Sequence, residues 1–316
     1  MKYAIKTAVL LLMAASLAGP ADAAKTKSPR HQAGPNATVL DAEVMLARIG
    51  FSSGVIDAHE GANFANALHA FQEANGLAPG RLNAATWTRL TQLSGGAVLG
   101  NYTIQPEDVA GPFVGKIPQD FQQMAALPRL VYGSPRELLA EKFHMSEALL
   151  AALNPGKDLG QAGTVIMVAN IAGGQDATPT ATAGESSGSS TPPAPQPQAA
   201  NPTAALVVVD KRHNAVLAFD ADKRLLGFYP ASIGSAEKPA PSGTLQVRSV
   251  VRDPDYTYNP KYRFKGQTAQ HPVKVAPGPN NPVGVVWIAL SAEGYGIHGT
   301  PEPTTSARPS RTAACA

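Results

Sequence analysis

Residues 172–203, "AGGQDATPTATAGESSGSSTPPAPQPQAANPT", contain no aromatic and no large aliphatic side chain. Such a stretch cannot bury enough apolar surface to offset the entropy lost on ordering, so no hydrophobic core can run through it. The chain must fold on either side of a linker. As a flexible coil its 32 residues span roughly 30 Å root-mean-square, which is expected to hold the N-terminal and C-terminal portions apart. The full length of 316 residues also exceeds one average domain. With 44% hydrophobic and 16% charged residues the flanking regions can build cores. A net charge of +3 without any Lys/Arg cluster gives no footprint for nucleic acid.

The first 23 residues bear on the compartment. Lys2 and Lys6 precede the apolar run "AVLLLMAASLAG", and Ala21 to Ala23 offer small residues to a signal peptidase. A signal peptide over 1–23, a mature start near Ala24 and export to a bacterial periplasm are expected. The apolar run is shorter than the ~20 residues a membrane span needs, so no stable membrane insertion should follow cleavage. No Cys follows the cleavage site, which excludes a lipoprotein. The single cysteine, Cys315, cannot form an internal disulfide, so its thiol is either incidental or chemically used.

From Thr38 the pattern turns helical: Leu40, Val44 and Ala47 share a face, then Phe64, Leu68 and Phe71, then Trp87 and Leu90. Three short helices over 38–95 are predicted. Asp57, "AFQ" with Phe71 and Gln72, "NGL" at 75–77, and Thr86-Trp87 with Leu90 make this segment resemble the three-helix peptidoglycan-binding domain. That resemblance implies a cell-wall partner, with Phe71 and Trp87 read as core. In the next region Ser134, Pro135 and Glu137 form an N-cap, an N1 proline and a capping-box acid; Ser146 starts a second helix, and "TVIMV" reads as a strand. Residues 102–171 resemble a LysM-like α/β glycan-binding module. An αβ spacer domain is the alternative.

Beyond the linker, "ALVVVD", "AVLAFD" and "LLGFYP" read as three strands joined by polar turns at 210–214 and 220–223. "SGTLQVRSVVRD", "VGVVWIAL" and "GYGIHGT" read as further strands of a mostly β domain. No HExxH, paired His or Cys cluster occurs, so neither metal nor other cofactor is expected; no GxSxG or Gly-rich phosphate loop occurs either. His213 and His271 sit in turns or loops. His298 stands at a strand end before Gly299-Thr300, where a side chain can face a cleft.

"KPAPSGTLQV", "DYTYNP", "APGPNNPVGVVWIAL" and "GYGIHGTPEP" together resemble the L,D-transpeptidase catalytic domain of YkuD type, over 205–316. The resemblance implies a β-sandwich and a Cys thiolate that attacks a peptidoglycan stem tetrapeptide at the carbonyl preceding its D-Ala. The resulting thioester passes to a neighbouring stem as a 3→3 cross-link or serves to attach proteins to the wall. It also implies His298 and Cys315 as catalytic candidates, and Tyr258, Asn259, Gly299 and Thr300 as substrate-binding candidates. In that family a Ser-His-Gly-Cys-Val-Arg segment follows the first histidine by about 14–17 residues. Here "SRTAACA" stands in its place, with no second His, so that the general base expected from that segment is absent, and no Arg after Cys315; family members continue past the Cys to complete the domain. If Ser310 ends in T and the next codons are CGC ACG GCT GCG TGC GC, starting one base earlier spells TCG CAC GGC TGC GTG CGC, which is Ser-His-Gly-Cys-Val-Arg. A one-base deletion between about Pro303 and Ser310 is therefore expected, leaving a chain impaired in activity and with unpaired apolar surface. The functional expectation is an L,D-transpeptidase acting on stem peptides and glycan. A non-catalytic wall-binding protein and an L,D-carboxypeptidase are the alternatives.

Overall fold

The computed structural model describes residues 34–172 and 203–303. The signal-like segment, nearly all of the linker and Cys315 lie outside the described residues.

Helix α1 (Ala37–Arg48) starts where the Asn36 side chain accepts from the Thr38 and Val39 amides. Helices α2 (Ala62–Ala74) and α3 (Ala84–Ser94) come next, the latter capped by Asn83. Their facing apolar side chains, among them Leu46, Leu68, Phe71 and Leu90, are almost fully buried. One polar group explains why the motif contains a glutamine. The Gln72 amide, buried at the centre, donates to Thr86 Oγ1 at 2.9 Å and accepts the Gly80 amide at 2.8 Å. It thereby ties α2 to the loop and to α3, and a buried amide left unmatched would cost about 1–3 kcal/mol.

Strand β1 (Leu99–Thr103) precedes the short helices α4 (Pro106–Val109) and α5 (Phe121–Met124). The longer pair α6 (Pro135–Lys142) and α7 (Glu147–Leu153) leads into β2 (Val165–Ala169). Strands β1 and β2 pair antiparallel, Tyr102 opposite Ile166, so the arrangement is a β–α–α–β unit with 31 residues, 104–134, inserted before its main helix pair. Tyr102 packs edge-on against Phe143, and its hydroxyl lies between Asp108 (2.7 Å) and Lys142 (2.6 Å). The capping box expected at α6 is half present. Ser134 Oγ accepts the Glu137 amide at 3.1 Å, but the Glu137 carboxylate turns to the Gly133 amide and to Asn280.

After the linker β3 (Leu206–Asp210), β4 (Ala215–Phe219) and β5 (Leu225–Pro230) form an antiparallel meander with the expected turns. Strands β6 (Val247–Arg252), β9 (Val286–Leu290) and β10 (Gly296–His298) form a second antiparallel sheet in the order β6-β9-β10. Between them β7 (Tyr256–Tyr258) and β8 (Val273–Val275) pair as a two-stranded ladder, with a 3₁₀ turn at Pro260–Tyr262. The two larger sheets share no buried cluster among the described residues. Every residue of β6 is exposed, Val250 at 57%.

The expected separation across the linker is not what the structure shows. The described residues from Pro35 onward cluster as one compact unit. Phe51 bridges to Phe228, the Ser52 amide donates to the Phe228 carbonyl at 2.8 Å, and Phe228 donates to Gly50 at 2.9 Å. This contact lengthens the β3-β4-β5 sheet at its edge, and Ala215 and Phe228 enter the core of the helical domain. The physical cause is burial: Phe228 would otherwise stand open on a sheet edge, and covering it is worth about 1.5–3 kcal/mol.

Candidate active site

His298 ends β10 opposite Trp287 of β9, and antiparallel pairing puts both side chains on the same sheet face. Their rings stack 5.3 Å apart at 16°. Gly296, two residues earlier, leaves room for the indole, because a Cβ there would lie 2.5 Å from Trp287. The imidazole Nδ1 lies 2.7 Å from the Gly299 carbonyl oxygen. A carbonyl only accepts, so Nδ1 carries the proton and Nε2 is the unprotonated nitrogen. Burial pushes the His298 pKa down to about 4; the bond to Gly299 opposes that and the Lys238 charge adds to it. The ring is thus neutral at pH 7.

An open cleft of about 900 Å³ adjoins this pair, with Trp287 in its wall together with Lys238, Asp253, Asn259, Tyr262 and Glu293. Lys238 donates to the Gly294 carbonyl and lies over the rings of Tyr295 (4.7 Å) and Tyr262 (5.2 Å). Two cleft acids are neutralised: Asp255 by Lys274 at 2.5 Å and Asp253 by Arg129 at 2.5 Å.

The candidates named from sequence divide. Asn259 lines the cleft, its side chain capping the 3₁₀ turn through the Lys261 amide. Gly299 and Thr300 form the turn beside His298; Thr300 Oγ1 accepts the Glu302 amide at 3.1 Å. Tyr258 is 1% exposed and lies among Phe121 and Phe264, so its ring supports the cleft wall from behind and does not line it. Tyr256 shares that face of β7 and also packs on Phe121, but it is half-buried and reaches the cleft, whereas Tyr258 is enclosed in the cluster under it. Cys315 lies outside the described residues. His213 pairs with Asp210 at 2.6 Å in an exposed turn, and His271 is exposed. No group of three metal-ligating side chains occurs among the described residues, and no helix described is long and apolar enough to cross a membrane. Sequence inspection missed Trp287 and Lys238 as site residues. The β9–β10 register, which places Trp287 against His298, was the signal available for the first.

A neutral histidine at the end of a sheet, with a cleft at its side, is the arrangement against which known families can be compared. Residues 204–316 match the YkuD family, the L,D-transpeptidase catalytic domain. Residues 35–90 match a peptidoglycan-binding domain family. No curated protein matches the chain. The first match indicates a catalytic domain of acyltransferase type, and the second supports peptidoglycan as a partner.

Proposed function

We propose that the YkuD domain is a periplasmic peptidoglycan L,D-transpeptidase that forms 3→3 cross-links or attaches proteins to the wall, with His298 as its base and the helical domain holding it to the polymer. The observation that carries this reading is the fixed tautomer of His298. With Nδ1–H committed to Gly299, Nε2 is the lone pair available to a thiol. In the proposed cycle Nε2 takes the thiol proton and sulfur attacks the carbonyl preceding D-Ala. The C–N bond breaks, and D-Ala leaves carrying that proton. The amine of a second stem then attacks the thioester, gives its proton to His298, and the thiol is restored. A thiolate beside the ring would raise its pKa by opposite-charge attraction, from about 4 toward the range a base needs.

Cys315 is the thiol in the chain as written, and a shifted reading of residues 310–316 supplies another. Nucleotide sequence decides between them, since only codons spelling Ser-His-Gly-Cys-Val-Arg in the alternative frame keep the second. We read the two larger sheets as the halves of a β-sandwich. The β–α–α–β unit we read as LysM-like, its glycan groove being the hollow between Ser134–Arg136 and Asn154–Gly160.

Incubation with disaccharide-tetrapeptides tests the whole. Cross-linked dimers support transfer, tripeptide alone supports an L,D-carboxypeptidase, and binding to sacculi without either product supports a non-catalytic wall protein. A carbapenem should leave a covalent adduct on the thiol, and its absence means that this chain has no working nucleophile.

A further inference from the structure

The stretch between the two matched segments includes residues 117–137, and these are seated on the catalytic domain. Leu130, fully buried, donates its amide to the Pro277 carbonyl and accepts the Asn280 amide, both at 2.9 Å. The Asn280 side-chain amide, itself buried, donates to the Val131 carbonyl at 3.1 Å and to Glu137 Oε1 at 2.6 Å. Glu137 Oε2 meanwhile accepts the Gly133 amide at 2.8 Å, so both carboxylate oxygens are committed. Gly278, at φ +141, sits so close that a Cβ would come within 2.3 Å of the Leu130 carbonyl oxygen.

The same loop reaches the active site from its other end. Asn281, fully buried, donates to the Gly278 and Ala276 carbonyls and accepts the Val283 amide, and its carbonyl accepts the Gly284 amide at 2.8 Å. Gly284, at φ +62, packs on the turn after His298; a Cβ there would lie 2.8 Å from Gly299 Cα and 3.0 Å from the Thr300 nitrogen. A continuous path therefore runs from Glu137 through Asn280 and Asn281 to Gly284, and ends on the residue whose carbonyl holds the His298 ring. A matched polar network of this kind, its two asparagines buried and Glu137 half-buried, specifies one geometry, because each buried group left unmatched is costly.

We infer that residues 117–137 are a structural part of the catalytic domain, and that Glu137 is a positioning residue which, through Asn280 and the 276–284 loop, fixes the Gly299 carbonyl that orients His298. The inference rests on reading His298 as the base of the site.

The test uses the full chain labelled with ¹⁵N-histidine, with the His298 signals assigned by H298Q and followed across pH, alongside melting by circular dichroism. In the parent protein His298 should show the Nδ1–H tautomer and stay neutral down to about pH 4. In E137A and in N280A the two tautomers should mix and the midpoint should fall further, because the Gly299 bond is the contribution that holds it up against burial. The double variant should shift no further than either single one, since both cut the same path. E137Q keeps an acceptor for Asn280 but presents a donor to Gly133, and should lie between parent and E137A; it also serves if E137A does not fold. Variants that melt earlier but leave the His298 midpoint and tautomer unchanged would overturn the inference, and so would variants that change neither. Because the readout is the imidazole itself, failure to form cross-links would count against the proposed function and not against this assignment.

Discussion

Two titratable residues, Glu43 buried and His298 half-buried, pull stability in opposite directions. Glu43, 1% exposed in α1, accepts the Ala58 and Asp57 amides and the Ser53 hydroxyl, and burial pushes its pKa up to about 8 despite those donors. The folded state therefore holds a proton that the unfolded chain has released. Stability from this group is full below 4.5 and is lost as pH rises through about 8. His298 works the other way: its folded pKa is depressed, so stability is lost as pH falls from 6.5 to about 4. The two slopes nearly cancel between 4.5 and 6.5. Above that range Glu43 dominates, joined up to about 7 by Glu141, which burial also raises. Chemical denaturation from pH 6.5 to 8 should show the parent weakening by about 1.4 kcal/mol per proton per pH unit at most, and E43Q should remove most of that slope. A slope unchanged in E43Q would mean that the carboxylate is already ionised at neutrality. None of this was legible from the sequence, where Glu43 reads only as one more polar position of an amphipathic helix.

At the scale of elements, periodicity located most of the long ones, the five-residue strand β1 being the exception. Helices α1 to α3, the α6–α7 pair and the strands β3, β4, β5, β6, β9 and β10 stand where apolar spacing and turn residues put them, since each carries its own pattern. The pieces that escaped are short and take their order from elsewhere. Helix α5 has four residues, and it exists because Asp120 caps it while Phe121 packs on Tyr256 and Tyr258 at 5.3 and 4.9 Å. The three-residue strands β7 and β8 are likewise too short to announce themselves, and the "DYTYNP" motif was visible without its ladder. Cutting Phe121 to Ala should cost about 3–5 kcal/mol, the usual toll for a buried aromatic, and should loosen β7 and with it the Tyr256 wall of the cleft. Hydrogen exchange at Tyr256 to Tyr258 reads this out; protection unchanged from the parent would show that β7 stands without α5. G278A should be as damaging, because its Cβ would meet the Leu130 carbonyl and φ is +141.

For the whole molecule, the linker conceals an intimate association. Phe228 and Ala215 are buried by the helical domain, while Tyr258, Phe264 and Val275 share a cluster with Phe121, Met124 and Leu130. Sequence alone marks the linker as unstructured but does not say that its two ends return to one body, because contacts so distant in sequence leave no periodic trace. Residues 203–316 expressed alone should therefore expose two apolar faces and fail to give dispersed amide spectra. The chain from 35 onward should fold as one cooperative unit; a well-folded isolated fragment would contradict that. The pairings concerned join residues 146 apart for Phe121 with Gln267 and 143 apart for Glu137 with Asn280. Their order of appearance is set by synthesis itself. Residues 117–137 emerge ahead of the linker and stay unanchored until residues 256–280 have followed. Because closing such distant contacts costs entropy before it yields stability, the active-site loop is among the last parts of this protein to become native.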